Sequence, residues 1–182
     1  MIDPVVARQI RLLALDVDGV LTDNGIYLGP VDGHRVELKR FDIQDGLGLG
    51  LLRGGPIEVA WVSGRVSEAT SLRAAELRIP TIIQEPTANK LPAMTALLEA
   101  KGLTWDEVAF VGDDLADLVV MARAGLPIAV ANAVPEVKAI ASWTTTRAGG
   151  FGAVREVIEA ILTARGEWAD TVARYRAVRE VG

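Results

Sequence analysis

The sequence predicts an α/β domain built on a doubly wound, mainly parallel sheet, and three observations carry that expectation. Short apolar runs at residues 12–15, 58–62, 81–83, 108–111 and 128–131 alternate with segments of helical spacing at 67–77, 91–101 and 115–124. The apolar runs are continuous rather than alternating, as strands covered on both faces require. Strand, helix and strand in repetition imply right-handed crossovers between neighbouring parallel strands.

Two stretches leave this rhythm. Residues 25–28 and 36–39 flank Asp32-Gly33, a strong turn pair, which predicts a β-hairpin projecting beyond the sheet. After Gly166, Trp168, Val172, Tyr175 and Val178 recur at helical spacing and predict an amphipathic helix that needs a surface to cover its stripe. A glycine-rich loop, Arg147 to Gly152, leads into a helix at 153–165. Residues 1–165 are therefore expected to form one domain and 166–182 a helical tail that contacts a neighbouring subunit.

Composition narrows the function. The 182 residues carry 19 Lys and Arg against 24 Asp and Glu, a net charge of −5, and half of them are hydrophobic. Such a chain buries roughly 70% of its unfolded surface, so a disordered protein is excluded. The acidic balance and the lack of a basic stripe argue against nucleic acid as partner. Zero cysteines exclude disulfides, thiolate metal sites and a cysteine nucleophile. No apolar run is long enough to cross a membrane and no signal peptide is readable, so a cytoplasmic protein is expected.

Four clusters at strand ends carry the chemistry. The first is Asp16-Val17-Asp18-Gly19, at the carboxyl edge where open α/β sheets bind ligands. Gly19 lets the chain turn so that both acids approach the crevice. A carboxylate pair suits attack on an electrophile by one member and proton transfer by the other; a solvated strand-ending turn is the structural alternative. The second is Val111-Gly112-Asp113-Asp114-Leu115-Ala116-Asp117, where three acids precede a helix. Acids gathered on one edge, without cysteine, call for a hard cation such as Mg²⁺, while N-capping accounts for one of them.

The third cluster is Ser63-Gly64-Arg65, where a hydroxyl and a helix N-terminus make an anion site, a reading compatible with Ser63 as an N-cap. The fourth is Lys90, whose place at a helix start opposes the macrodipole and is explained by a bound phosphate or by simple exposure.

In that order the four clusters resemble the haloacid dehalogenase-like phosphohydrolases. The resemblance implies Asp16 as nucleophile, Asp18 as general acid/base, Ser63 and Lys90 on the phosphoryl oxygens, and Mg²⁺ held by Asp16, the Asp18 carbonyl and Asp113. Asp114 and Asp117 stay equivalent as the supporting acid. The stretches between Asp18, Ser63, Lys90 and Asp113 leave no room for the cap domain that many relatives insert.

Phe41-Asp42-Ile43-Gln44-Asp45-Gly46 and Ala148-Gly149-Gly150-Phe151-Gly152 sharpen the likeness to the 3-deoxy-D-manno-octulosonate 8-phosphate phosphatase family, from about residue 10 to 165. That resemblance implies a capless, Mg²⁺-dependent homotetramer whose hairpin and C-terminal segments complete neighbouring active sites. Its implied substrate is a small sugar-acid phosphate of lipopolysaccharide synthesis. A nine-carbon acid such as an N-acylneuraminate 9-phosphate shares the same chemistry, and a catalytically silent assembly module is the reading from another class.

Arg65 suits the sugar carboxylate, a bidentate match, with a surface Arg as the alternative. Gln44 stands where some relatives carry a basic residue. Arg147 and Arg155 could serve the carboxylate as well, but helix-surface salt bridges are the safer expectation for them, and His34 is expected exposed in the hairpin turn.

Overall fold

The computed structural model describes residues 1–180. Its main sheet has six strands in the order β5-β4-β1-β6-β7-β8, with every neighbouring pair parallel. The strands are β1 (Leu12–Leu15), β4 (Glu58–Ser63), β5 (Thr81–Gln84), β6 (Val108–Gly112), β7 (Leu126–Ala129) and β8 (Trp143–Thr144). β1 is central, and the chain winds outward from it in both directions. The crevice where that order reverses lies at the carboxyl ends of β1, β4 and β6.

Helices α1 (Pro4–Gln9), α2 (Ile43–Leu51) and α7 (Ala153–Arg165) pack together as one layer. On the other side α4 (Lys90–Lys101), α5 (Leu118–Met121) and α6 (Pro135–Ile140) form a second. α7 shows why sequence dictates this: Ala153, Val154, Val157, Ile158, Ile161 and Leu162 are buried along a single stripe. Helix α3 (Glu68–Glu76) begins at Ser67, whose hydroxyl accepts from the Thr70 N–H.

The hairpin forms as its own ribbon, β2 (Tyr27–Val31) paired antiparallel with β3 (His34–Leu38). Its strands run closer to the turn than the sequence suggests, and His34 opens β3 rather than lying in the turn, exposed as expected. Asp32 and Gly33 take φ values of 49° and 78°, the left-handed pair of a tight hairpin turn. Tyr27, Val31, Val36 and Leu38 share one face of the ribbon, and Tyr27 and Leu38 are 62% and 61% exposed.

Three further expectations need correction. The strand expected at 128–131 runs instead from Leu126, since Pro127 pairs with Phe110 and lends its carbonyl to the Ser142 N–H. The helix expected at 115–124 is a 3₁₀ turn (Leu115–Asp117) followed by the short α5. Among the described residues Arg147 makes no helix-surface salt bridge; its guanidinium donates to Gln44 Oε1 at 2.8 Å.

The expected tail helix is α8 (Trp168–Glu180), with residues 181–182 of the tail outside the described residues. Trp168 packs against the core under the Arg155 guanidinium, while Val172 and Val178 stay exposed. Among the described residues no helix is long and apolar enough to cross a membrane.

Candidate active site

Asp16 follows β1, Ser63 ends β4 and Asp113 follows β6, so three adjacent strands deliver three of the four clusters to one crevice. The fourth arrives from α4, whose first residue, Lys90, is only 2% exposed. Its ammonium lies 2.5 Å from Asp16 Oδ1 and 2.7 Å from Asp117 Oδ1. Two carboxylates thus explain a lysine placed against the macrodipole, and exposure does not.

Asp117 answers the question that spacing alone left open. While Oδ1 binds Lys90, Oδ2 accepts from the N–H groups of Asp113 and Asp114, which bends the chain into the 3₁₀ turn. Asp114 is exposed, and its side chain caps the turn, accepting from the Leu115 N–H at 2.7 Å and from the Asp117 N–H. One acid supports the site and the other caps a turn.

Carboxylate oxygens of Asp16, Asp113 and Asp117 lie within 4.8 Å of one another, all three residues buried. Burial, and then the charge of Asp117, pushes Asp16 well above the usual carboxylate range against the pull of Lys90. The same two causes push Asp113 up to about 7. Burial pulls Lys90 down, but Asp16 and Asp117 outweigh it and hold the ammonium above its ordinary value. Asp113 Oδ1 is buried and has no hydrogen-bond partner among the described residues. Like charges crowded around an unpartnered oxygen fit a hard divalent cation bound through oxygen.

Gly19 is required by this packing. It takes φ +93°, and a Cβ there would stand 2.0 Å from Asp113 Oδ2. The glycine-rich loop closes on the other side of the same turn. A Cβ on Gly149 would stand 1.7 Å from the Gly19 carbonyl oxygen. Asn132 links the two, donating to the Gly19 carbonyl at 3.1 Å and accepting from the Gly149 N–H at 2.6 Å.

Ser63 is buried and its hydroxyl is engaged locally, donating to the Arg65 carbonyl at 3.0 Å and accepting from the Arg65 N–H at 3.1 Å. Gly64 lies against Ala88 and the Lys90 stem. Arg65 donates to Glu37 Oε2 at 3.0 Å, while its buried Nη1 has no partner among the described residues. Asp18 stands apart from the other acids, with Oδ1 at 2.7 Å from Lys39 Nζ. A groove of about 670 Å³ between β3 and α3, lined by Glu37, Lys39, Arg65 and Arg73, opens beside it.

Sequence reasoning missed Lys39, Glu37 and Asn132. For the first two a signal existed: acid and base two apart at the end of a strand face the same way. Arg155 does form the expected salt bridge, to Glu159 at 2.5 Å.

The haloacid dehalogenase-like hydrolase family matches residues 78–158. The 3-deoxy-D-manno-octulosonate 8-phosphate phosphatase of Escherichia coli strain K12 is 45% identical over 161 residues, covering 88% of this chain and 84% of that protein. The Yersinia pestis phosphatase of the same name is 42% identical over 159 residues, covering 87% and 83%. A crystal structure of such a phosphatase from Moraxella catarrhalis, in complex with magnesium ion, phosphate ion and KDO, superimposes with a TM-score of 0.88 at 39% identity, over 94% of this chain and 97% of that one. The cobalt-bound Haemophilus influenzae phosphatase superimposes at 0.81 with 35% identity, over 90% and 93%.

Proposed function

Because this chain belongs to the haloacid dehalogenase-like hydrolases, and within them to the 3-deoxy-D-manno-octulosonate 8-phosphate phosphatases, we infer that it hydrolyses that ester to the free sugar acid and phosphate in lipopolysaccharide precursor synthesis. The observation that carries the chemistry is the buried set of Asp16, Lys90, Asp113 and Asp117 around one unpartnered oxygen. A silent assembly module has no use for so costly a gathering of like charges. The relatives' substrate supports the eight-carbon acid over a nine-carbon one.

The acidic set of Asp16, Asp113 and Asp117 fits Mg²⁺; Asp16, Asp113 and, as the family resemblance implies, the Asp18 carbonyl would hold the ion, with Asp117 supporting them. When bound, the ion supplies the positive charge that lets an anionic nucleophile approach an anionic ester. Asp16 attacks phosphorus and becomes an aspartyl-phosphate. Asp18 protonates the leaving alkoxide, then takes a proton from the water that cleaves the intermediate. Lys90 holds a phosphoryl oxygen while staying paired to Asp117. Ser63 reaches another by rotating its hydroxyl off the Arg65 carbonyl, and the Gly64 N–H lines the same corner. The unpartnered Nη1 of Arg65 faces the sugar carboxylate, a charge-assisted contact.

The assembly proposed is a homotetramer in the cytoplasm. The apolar ribbon face and the exposed Val172 and Val178 of α8 are the surfaces that copies of the chain would share. Deleting residues after Arg165 should then alter sugar-phosphate kinetics more than aryl-phosphate kinetics, and equal effects would remove the tail from the substrate site.

The test of function is phosphate release from a panel of eight- and nine-carbon sugar-acid phosphates, with Mg²⁺ and with chelator, compared by kcat/KM. Preference for the eight-carbon ester, lost with chelator and in Asp16→Asn, is expected. Higher kcat/KM on a nine-carbon ester, or retained turnover in Asp16→Asn, would overturn the assignment.

A further inference from the structure

We propose that Lys39 is the positioning residue for Asp18: it anchors one oxygen of that carboxylate from the hairpin side and leaves the other to exchange the proton. The inference rests on the role assigned above to Asp18 and extends it to a residue outside the four clusters.

Lys39 lies immediately after β3, and its side chain is wholly buried. A lysine in that position must be paired, because an isolated buried ammonium is among the costliest groups in a fold. Its Nζ donates to Thr70 Oγ1 in the first turn of α3 at 3.2 Å and faces Asp18 Oδ1 at 2.7 Å. The second contact is an ion pair without hydrogen-bond alignment: Oδ1 is buried and has no hydrogen-bond partner among the described residues. Coulomb attraction at that distance fixes the carboxylate's rotamer without consuming its lone pairs.

Glu37 makes the arrangement tolerant of proton transfer. It lies two residues before Lys39, so both side chains project from the same side of the strand. Its Oε1 stands 3.7 Å from Lys39 Nζ and accepts from Ser67 Oγ at 2.7 Å. The Ser67 hydrogen bond, with Arg65 and Lys39 adding to it, holds the Glu37 carboxyl below the usual glutamate range. Glu37 therefore stays anionic. When Asp18 carries a proton, the Lys39 ammonium is still balanced by Glu37 and no unpaired charge is buried.

The step served is the cleavage of the ester. As the bond from Asp16 oxygen to phosphorus forms, the bond from phosphorus to the sugar oxygen breaks, and the proton on Asp18 moves to that oxygen to give the alcohol. In the second half, water oxygen bonds to phosphorus, the bond from phosphorus to the Asp16 oxygen breaks to release the carboxylate, and the water's proton returns to Asp18. Only the first step depends on the leaving oxygen: a misplaced Asp18 slows it in proportion to that oxygen's need for a proton, while slowing of the second step is common to every ester and does not enter kcat/KM. An alkyl ester of a sugar needs it fully, whereas p-nitrophenyl phosphate hardly needs it.

The experiment compares wild type with Lys39→Met and Lys39→Arg in the full-length protein with saturating Mg²⁺. The substrates are 3-deoxy-D-manno-octulosonate 8-phosphate, phenyl phosphate and p-nitrophenyl phosphate. Lys39→Met is expected to lose about 10²-fold in kcat/KM on the sugar ester and less than about threefold on p-nitrophenyl phosphate, with phenyl phosphate between. Lys39→Arg should recover part of the loss on the sugar ester. Equal losses on all three esters would make Lys39 merely structural. A raised KM on the sugar ester with unchanged kcat would make it a pocket wall; either result overturns the proposal.

Should Lys39→Met fail to fold, Glu37→Gln keeps an acceptor for Ser67 and removes the balancing charge. It is expected to show the same graded pattern at smaller amplitude, and a uniform loss would again overturn the role. Wild-type protein without turnover on any ester would instead bring down the phosphatase assignment, and the positioning role with it.

Discussion

Asp45 Oδ1 accepts a hydrogen bond from the Arg155 N–H at 2.7 Å, tying the first turn of α2 to the first turn of α7. The residue is buried, and its second oxygen has no partner among the described residues. Burial pushes this carboxyl from 3.8 up to about 6. Between those values the unfolded chain releases the proton before the folded one does, so stability falls as pH rises through the window. The loss amounts to about 3 kcal/mol, from roughly two pH units at about 1.4 kcal/mol each. Asp45→Asn removes the charge and keeps the acceptor. Urea unfolding should find the variant and wild type equal near pH 4, with the variant more stable by about 1–3 kcal/mol at pH 8. A difference that does not grow with pH would show that Asp45 is not the source.

Gly19→Ala tests how tightly the two acidic loops are fitted. The new methyl would have to displace Asp113 and occupy φ +93°, a conformation that costs an alanine about 1–3 kcal/mol. Asp113 moves more easily than backbone, so the folded state should persist with a lowered melting temperature. Phosphatase activity should fall at least about 10²-fold, because a misplacement of about 1 Å at a reacting centre has that effect. Near-normal turnover would mean that Asp113 can shift without consequence for the site.

The acids Asp114 and Asp117, alike in sequence, should differ sharply when neutralised. Asp117→Asn takes a charge from Lys90 and puts an amide where two backbone N–H groups need an acceptor. Activity should drop by about 10²-fold or more, and Mg²⁺ should bind about 10–100-fold more weakly, as second-layer carboxylates usually require. Asp114→Asn preserves a good cap on an exposed turn and should change neither quantity by more than about twofold. Isothermal titration with Mg²⁺ alongside steady-state kinetics reads both, and similar losses in the two variants would contradict the division of labour.

Much of this architecture was legible because its signals are local. The run Leu12-Leu13-Ala14-Leu15 reads as a buried strand at any glance, and Asp32-Gly33 names its turn. Asp3-Pro4 also marks the start of α1, an N-cap followed by proline. β7 was misplaced because a proline argues against a strand, whereas Pro127 has little ladder on its outer side beside the two-residue β8. The helix expected at 115–124 gave way to Asp117, whose carboxylate must turn back to the Asp113 N–H.

For the site, Asp16, Asp18, Ser63, Lys90 and Asp113 could be picked out because each follows or opens a readable element. Lys39 could not, since what gives it meaning is Asp18, which the hairpin's fold brings to it from 21 residues away. Charge and spacing record which residues are present; three-dimensional pairing decides which of them work together.

The ribbon offers the most direct test of assembly. Val31, near its tip, is 56% exposed on the same face as Tyr27 and Leu38, and it lies far along the strand from Lys39. If that face is shared between copies, Val31→Glu buries an unpaired carboxylate among apolar neighbours, a cost of several kcal/mol at each contact. Light scattering should then report a species smaller than the wild-type assembly, with an unchanged circular dichroism spectrum. Turnover of the sugar-acid phosphate should fall with the loss of assembly. Hydrolysis of p-nitrophenyl phosphate, which needs only the acidic cluster within one chain, should stay within about threefold of wild type. An assembly of unchanged mass would show that the ribbon's apolar face is not what joins the copies.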